Sequence, residues 1–159
     1  KIYTNLHTNT AYSSLAAQIT KIFPITLNTF IIPTIYGRFI FNNGIPFMYS
    51  NVIGGEGYNP HYEQQIPFSG LTHTESTLKL LGNAQIQLRH KFHERQYFTV
   101  SGNYATHQNQ FFKFFAGKKI YGTSIGYGYD SPVGPLEGFI CYSNRTHKLE
   151  FYLNIGFEF

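Results

Sequence analysis

Ser124 has the spelling of a hydrolase nucleophile. Gly122-Thr123-Ser124-Ile125-Gly126 fits the Gly-x-Ser-x-Gly elbow, in which a sharp strand-to-helix turn lifts the hydroxyl clear of the backbone. Its setting does not fit: Ser124 lies inside an unbroken alternating stretch that continues past Gly128 into the Pro-rich turn Ser131-Pro132-Val133-Gly134-Pro135. A small residue on the polar face of a strand is the plainer account. A Ser and His acting together need to stand side by side on one wall, yet His90 continues the apolar face of its stretch while Ser101, on the neighbouring stretch, falls in the opposite phase. The seven histidines raise metal binding. His61 with Glu63, and His73 with Glu75, have a two-residue spacing that shares a strand face, but both pairs lie in irregular sequence without a third ligand. Gly54 to Gly57 lacks the Lys-Ser/Thr of a phosphate loop and reads as turn glycine. Gln85, Gln87, Arg89, Glu137, Glu150 and Glu158 either line a solute path or pair across a wall, and pairing is favoured. These residues predict no catalytic group, no cofactor and no metal.

The elements that carry them are strands. In the last 39 residues, Tyr121, Thr123, Ile125, Tyr127 and Tyr129 alternate with Gly122, Ser124, Gly126, Gly128 and Asp130. After the Pro-rich turn, Leu136, Gly138, Ile140 and Tyr142 alternate with Glu137, Phe139, Cys141 and Ser143. The closing stretch sets Leu149, Phe151, Leu153, Ile155, Phe157 and Phe159 against Glu150, Tyr152, Asn154, Gly156 and Glu158. Successive side chains leave a pleated backbone on opposite faces, so this period predicts strands with one apolar and one small, polar face. A soluble sandwich would bury the apolar face against another sheet. An outer-membrane barrel lays it on lipid and turns the polar face to a wet lumen, with strands of roughly 9 to 11 residues, the length seen here.

Upstream, residues 1 to 9 read as a short strand, 11 to 22 as a strand ended by Phe23-Pro24, and 25 to 41 as a strand whose Pro33 suits an edge or a bulge. From Asn42 to Ser76 the pattern dissolves into Gly, Pro, Asn and Tyr; loops this long are usually functional. Residues 77 to 91 and 97 to 105 form a hairpin, and 106 to 119 a second loop. Laid up and down, the turns near 22 to 25, 92 to 95 and 131 to 135 share one end and are short. The loops at 42 to 76 and 106 to 118 share the other and are long, with one short turn at 144 to 147. That asymmetry is the one expected of outer-membrane barrels, short on the periplasmic side and long outside. The prediction is an all-β, antiparallel transmembrane barrel of about eight strands.

Composition is consistent with it. Of 159 residues, 18% are aromatic, with 13 Tyr and 16 Phe, as interfacial girdles require, although Trp is absent. No stretch approaches 18 consecutive apolar residues, so no spanning helix is expected. A single cysteine, Cys141, excludes an intrachain disulfide and a multi-cysteine zinc site. The net charge of +4 is scattered, which predicts contact with anionic lipid headgroups and no nucleic-acid partner. Lys1 is neither an initiator Met nor part of a signal peptide, so residues 1–159 are expected to be the C-terminal module of a longer exported protein.

A large Gly-rich external loop, five strands after it and an aromatic end resemble the C-terminal half of BamA and TamA type bacterial surface-antigen barrels. Ser131-Pro132-Val133-Gly134-Pro135-Leu136 and Asn154-Ile155-Gly156-Phe157-Glu158-Phe159 carry the resemblance. Ile53-Gly54-Gly55 with Gln65-Ile66-Pro67-Phe68-Ser69-Gly70 is similar to the barrel that follows the lipase domain of Bacteroidetes-type patatin-like phospholipases. The resemblance implies that Gly54, Gly55, Glu56, Gly57 and Tyr58 belong to the long external loop, with Glu56 where the wider superfamily has an Arg at a tip folded into the lumen. It implies that Phe151, Leu153, Ile155, Gly156, Phe157 and Phe159 form a C-terminal signal read by the barrel assembly machinery. It also implies a sixteen-stranded barrel, of which this chain supplies about half. Because an open edge cannot face hydrocarbon, missing N-terminal strands, a second copy or tight eight-stranded closure must complete it. The implied function is an outer-membrane module that anchors or helps export an upstream patatin-like lipid hydrolase, a Ser-Asp enzyme, without being catalytic itself. An assembly or translocation barrel and a stand-alone barrel lipase are the alternatives.

Overall fold

A computed structural model describes residues 2–5, 10–41, 49–55, 64–71, 73–109, 117–132 and 134–156. Twelve strand segments follow in order: β1 Ile2–Asn5, β2 Thr10–Thr20, β3 Phe23–Thr26, β4 Thr29–Ile40, β5 Val52–Ile53, β6 Gln65–Ile66, β7 Glu75–Ser76, β8 Leu80–His93, β9 Gln96–Gln108, β10 Lys118–Ser131, β11 Gly134–Ser143 and β12 Leu149–Ile155. The main sheet runs β1-β2-β4-β8-β9-β10-β11-β12, antiparallel at every step. This is the expected all-β antiparallel wall, and its neighbours in space are neighbours in sequence apart from the insert between β4 and β8. Among the described residues no pairing joins β1 to β12, so the sheet is open. Glu56, Gly57 and Tyr58 of the long loop, His61, Glu63, and Phe157, Glu158 and Phe159 at the C-terminus lie outside the described residues.

One turn is not where the sequence placed it. Phe23-Pro24 does not end a strand: β3 continues β2 along the same side of β4, and the hairpin closes at Leu27-Asn28, with Thr26 opposite Thr29. Nor is Pro33 on an edge, since β4 is paired on both sides. The irregularity sits in its neighbour. The Pro33 carbonyl accepts from Lys21 N at 3.2 Å, so the N–H that proline lacks would point the same way, toward the break between β2 and β3 at Lys21 and Ile22. The short connections at Leu27-Asn28, Glu94-Arg95 and residues 132–133 all fall at one end of the sheet.

The two faces are inverted relative to a soluble protein. Along β10, Tyr121, Ile125 and Tyr127 are exposed while Gly122, Ser124, Gly126 and Gly128 are buried. The rule extends across the wall: Ile19, Ile35, Ile86, Phe98, Val100, Ile140, Phe151 and Leu153 face outward, with Phe151 72% exposed. Thr99, Ser101, Asn103, Ser124 and Glu137 are buried on the other face, Ser124 only 4% exposed. Isolated exposed apolar side chains are ordinary, but a continuous apolar face on one side of a sheet marks contact with something apolar.

Glycine on the inner face makes room for rings and backbone. A Cβ at Gly126 would overlap the Phe139 ring, and one at Gly128 the Tyr97 ring. Each ring occupies the space over the glycine of the neighbouring strand. Outward Gly102, by contrast, has open space where its Cβ would be. Gly128→Val should therefore lower stability by about 1–3 kcal/mol through displaced Tyr97, whereas Gly102→Val should change it by no more than about 0.5 kcal/mol. Urea unfolding in detergent, followed by heat-modifiable migration, measures both; equal effects would contradict the inner assignment of Tyr97.

Candidate functional site: an insert docked on the inner wall

The candidate functional feature is the insert between β4 and β8, whose described parts lie against the inner face of β8 to β11. Two separated segments build it. Ile53-Gly54-Gly55 and Gln65-Ile66 come together as the parallel pair β5–β6, and β7 pairs β5 from the other side. Gly54 (φ 104°) and Gly55 (φ 70°) take left-handed backbone conformations that L side chains rarely adopt. Their N–H groups donate to Ile66 O at 2.9 Å and Leu71 O at 2.7 Å, and Gln65 Nε2 donates to Gly54 O at 3.0 Å. These two glycines carry the chain out of β5 in backbone conformations that favour glycine.

Docking has an apolar and a polar part. Ile53, Ile66, Phe68 and Leu71 of the insert cluster with Leu81, Ala105 and Ile120 of the wall, and Tyr36 packs against the group. Leu81, Ala105 and Ile120 occupy the inner register of β8, β9 and β10 near the long-loop end. Below them Ser69 Oγ lies 3.0 Å from Ser101 Oγ and donates to Ser124 Oγ at 3.3 Å, and the two wall serines are 2.7 Å apart. The Asn103 side-chain oxygen accepts from Ser69 N at 2.9 Å, the amide orientation that satisfies both of its ends. Ser101 and Ser124 are cross-strand partners, so the wall presents them as a pair. Each buried, satisfied hydroxyl contributes about 1 kcal/mol, but one left without its partner costs about 1–3 kcal/mol, which makes the serines a test of position more than a source of stability.

Close approach depends on one glycine from each side. A Cβ at Gly122 would overlap the Ser69 carbonyl oxygen, and one at Gly70 (φ 78°) would overlap the backbone of Tyr142 and Ser143. Thr146 Oγ1 also donates to Gly70 O at 3.3 Å, and Arg145 Nε meets Glu75 Oε2 at 3.1 Å in an exposed ion pair that adds little. At the stem, buried Arg38 donates from Nη1 to Asn51 Oδ1 at 3.2 Å and from Nη2 to Tyr49 O at 3.4 Å. Asn51 in turn donates to Leu78 O at 2.8 Å and Lys79 O at 2.9 Å, tying the entry of the insert to its exit.

Towards the short-turn end the inner wall carries a polar group of its own. Tyr97 OH donates to Glu137 Oε1 at 2.5 Å, Arg89 Nη2 lies 3.7 Å from the same oxygen, and the Arg89 guanidinium sits 4.7 Å above the Tyr97 ring. Among the described residues Arg89 Nε and Thr99 Oγ1 near this group, and Asn83 Oδ1 nearer the long-loop end, have no hydrogen-bond partner.

The chemical candidates separate. Ser124 is in mid-strand, and the glycines of its motif are accounted for by the Ser69 carbonyl at Gly122 and the Phe139 ring at Gly126. No turn exposes its hydroxyl, and its partners are serines. His90 faces outward with Nδ1 2.8 Å from Thr29 Oγ1, on the opposite face from Ser101. His73 is exposed and Glu75 pairs with Arg145. Among the described residues no three His, Cys, Asp or Glu side chains come together to hold a metal. Of the polar candidates, Arg89 and Glu137 meet across the wall. The docking residues Phe68, Ser69, Gly70 and Leu71, and the stem pair Arg38 and Asn51, had no place in the alternation. The available signal was its interruption: Leu81, Ala105 and Ile120 put apolar residues into the polar register near the long-loop end of three adjacent strands.

Of the C-terminal residues, Phe151, Leu153 and Ile155 project outward from the edge strand β12, and Gly156 (φ 120°) donates to Pro135 O at 3.1 Å where the strand ends. No curated protein matches the chain. A family model described as the OMP85 superfamily matches residues 3–159. An open antiparallel wall, apolar outside and polar inside, and a match over nearly the whole length agree: this chain belongs to the OMP85 superfamily.

Proposed function

We propose that the chain forms part of the wall of a bacterial outer-membrane barrel of the assembly and translocation type, with the insert as a constriction that must shift for passage. The observation that carries this reading is the seating of Phe68 to Leu71 on the inner wall through Gly122, Ser101 and Ser124. The short-turn end then faces the periplasm and the long-loop end the exterior. The open edges at β1 and β12 need further strands, from the same protein or a second copy, because each unpaired backbone group in hydrocarbon costs several kcal/mol. We also propose that Phe151, Leu153, Ile155, Gly156, Phe157 and Phe159 are read by the assembly machinery, and that Gly54 to Tyr58 belong to the loop that reaches the lumen.

A finer reading rests on the similarity of Ile53-Gly54-Gly55 and Gln65 to Gly70 to barrels that follow patatin-like lipases: the module anchors or exports such a hydrolase. The residues preceding Lys1 in the intact gene product test it. A Gly-x-Ser-x-Gly elbow between a strand and a helix supports the patatin reading; POTRA repeats alone support an assembly factor.

In the intact protein, Gly122→Val should unseat the insert and raise single-channel conductance in planar bilayers several-fold, with the protein still heat-modifiable. Unchanged conductance would remove the constriction. Arg38→Met should free the stem and speed proteolysis within residues 49–79 in reconstituted vesicles, a readout that stays at the wild-type rate if the stem is held elsewhere. Ser124→Ala should leave any lipid hydrolysis by the intact protein unchanged; loss of activity would revive a catalytic barrel.

A further inference from the structure

The inner glycines Gly122, Gly126 and Gly128 are each required by something that lies on them. Gly138 is not. It sits on the outward face of β11 with no left-handed backbone conformation, and a Cβ there would meet nothing nearer than Leu153 Cδ1 and Phe151 Cζ, both at 3.9 Å. A side chain would fit, yet none is present. The cross-strand partners of Gly138 are Tyr127 and Leu153. Along its own strand the next outward residues are Leu136 and Ile140, and Ile125 and Phe151 flank Ile140 on the neighbouring strands. Gly138 forms part of the floor of an open, mostly apolar socket of about 630 Å³, walled by Phe98, Ile125, Tyr127, Ile140, Phe151 and Leu153.

The position of the socket identifies its occupant. It opens on the apolar outer face, which in a member of this superfamily meets hydrocarbon. Beside it, Phe92, Phe98 and Tyr127 form a ring cluster with centroids 5.3 to 6.1 Å apart, at the short-turn end, where aromatic residues mark the lipid-to-headgroup boundary. Its far wall is Phe151 and Leu153 of the edge strand β12. We infer that the Gly138 socket holds one acyl chain of a phospholipid from the periplasmic leaflet, a fixed lipid site that braces β12 against the rest of the wall. The inference rests on the outward face meeting lipid and is independent of the docked insert.

The experiment is native mass spectrometry of the intact protein released from vesicles of phosphatidylethanolamine and phosphatidylglycerol into mild detergent. Wild type should keep one phospholipid after the bulk lipid is stripped. Gly138→Phe, which fills the socket, should lower that retention about tenfold. Gly138→Leu, which fills less of it, should lower it in part and serves if the Phe variant does not fold. Gly102→Phe adds the same ring at an outward glycine elsewhere and should retain lipid as wild type does. Equal retention by Gly138→Leu and wild type, or no retained lipid in wild type, overturns the site. A wild-type dimer that Gly138→Leu converts to monomer assigns the socket to a second copy and also overturns it.

Discussion

Hydrocarbon offers the backbone no hydrogen-bond partner, and that constraint decides most of this structure. A chain that crosses lipid in strands must pair every N–H and C=O with another strand. Among the described residues the antiparallel ladder from β1 to β12 meets that requirement apart from its two edges and the break at Lys21-Ile22. Once the backbone is paired, the pleat leaves each strand a single choice, namely which face takes the apolar register. Here it is the outer one, from Ile19 on β2 to Leu153 on β12.

An inward polar register has its own cost, because hydroxyls, amides and charges packed together need partners. The wall meets this in two ways. Near the short-turn end Tyr97 and Arg89 both partner the buried Glu137 carboxylate, and the Arg89 guanidinium covers the Tyr97 ring. Near the long-loop end the insert supplies the partners, with Ser69 on the Ser101–Ser124 pair, Arg38 and Asn51 at the stem, and an apolar patch of Leu81, Ala105 and Ile120 to hold it. The glycines divide accordingly. Gly122, Gly126 and Gly128 are where the insert and the rings touch the wall, and the first two resemble a hydrolase elbow in spelling alone.

What could be read from sequence was whatever has period two. The strands from Thr77 onward, their facing and the placing of short connections at one end follow from alternation, because each side chain's environment repeats every second residue. The hairpin at Leu27-Asn28 was missed because Pro24 looks like a strand breaker, which put the turn near 22 to 25. In the sheet, the gap at Lys21-Ile22 absorbs the donor that Pro33 lacks, and the chain runs on. The seat of the insert was missed for a different reason. Its contacts are non-local, and a residue such as Ser69 gains its role from Ser101 and Ser124, which lie 32 and 55 residues away.

The most direct test is a spin-label accessibility scan of the intact protein in phospholipid vesicles, with Cys141 replaced and labels placed singly at Ile125, Ile140 and Leu153, and at Gln87, Tyr152 and Asn154. The account predicts that lipid-soluble oxygen relaxes the first three and a water-soluble nickel complex the second three. If nickel reaches Ile125, Ile140 and Leu153 as readily as it reaches Gln87, the outer face does not lie in the membrane and the account fails.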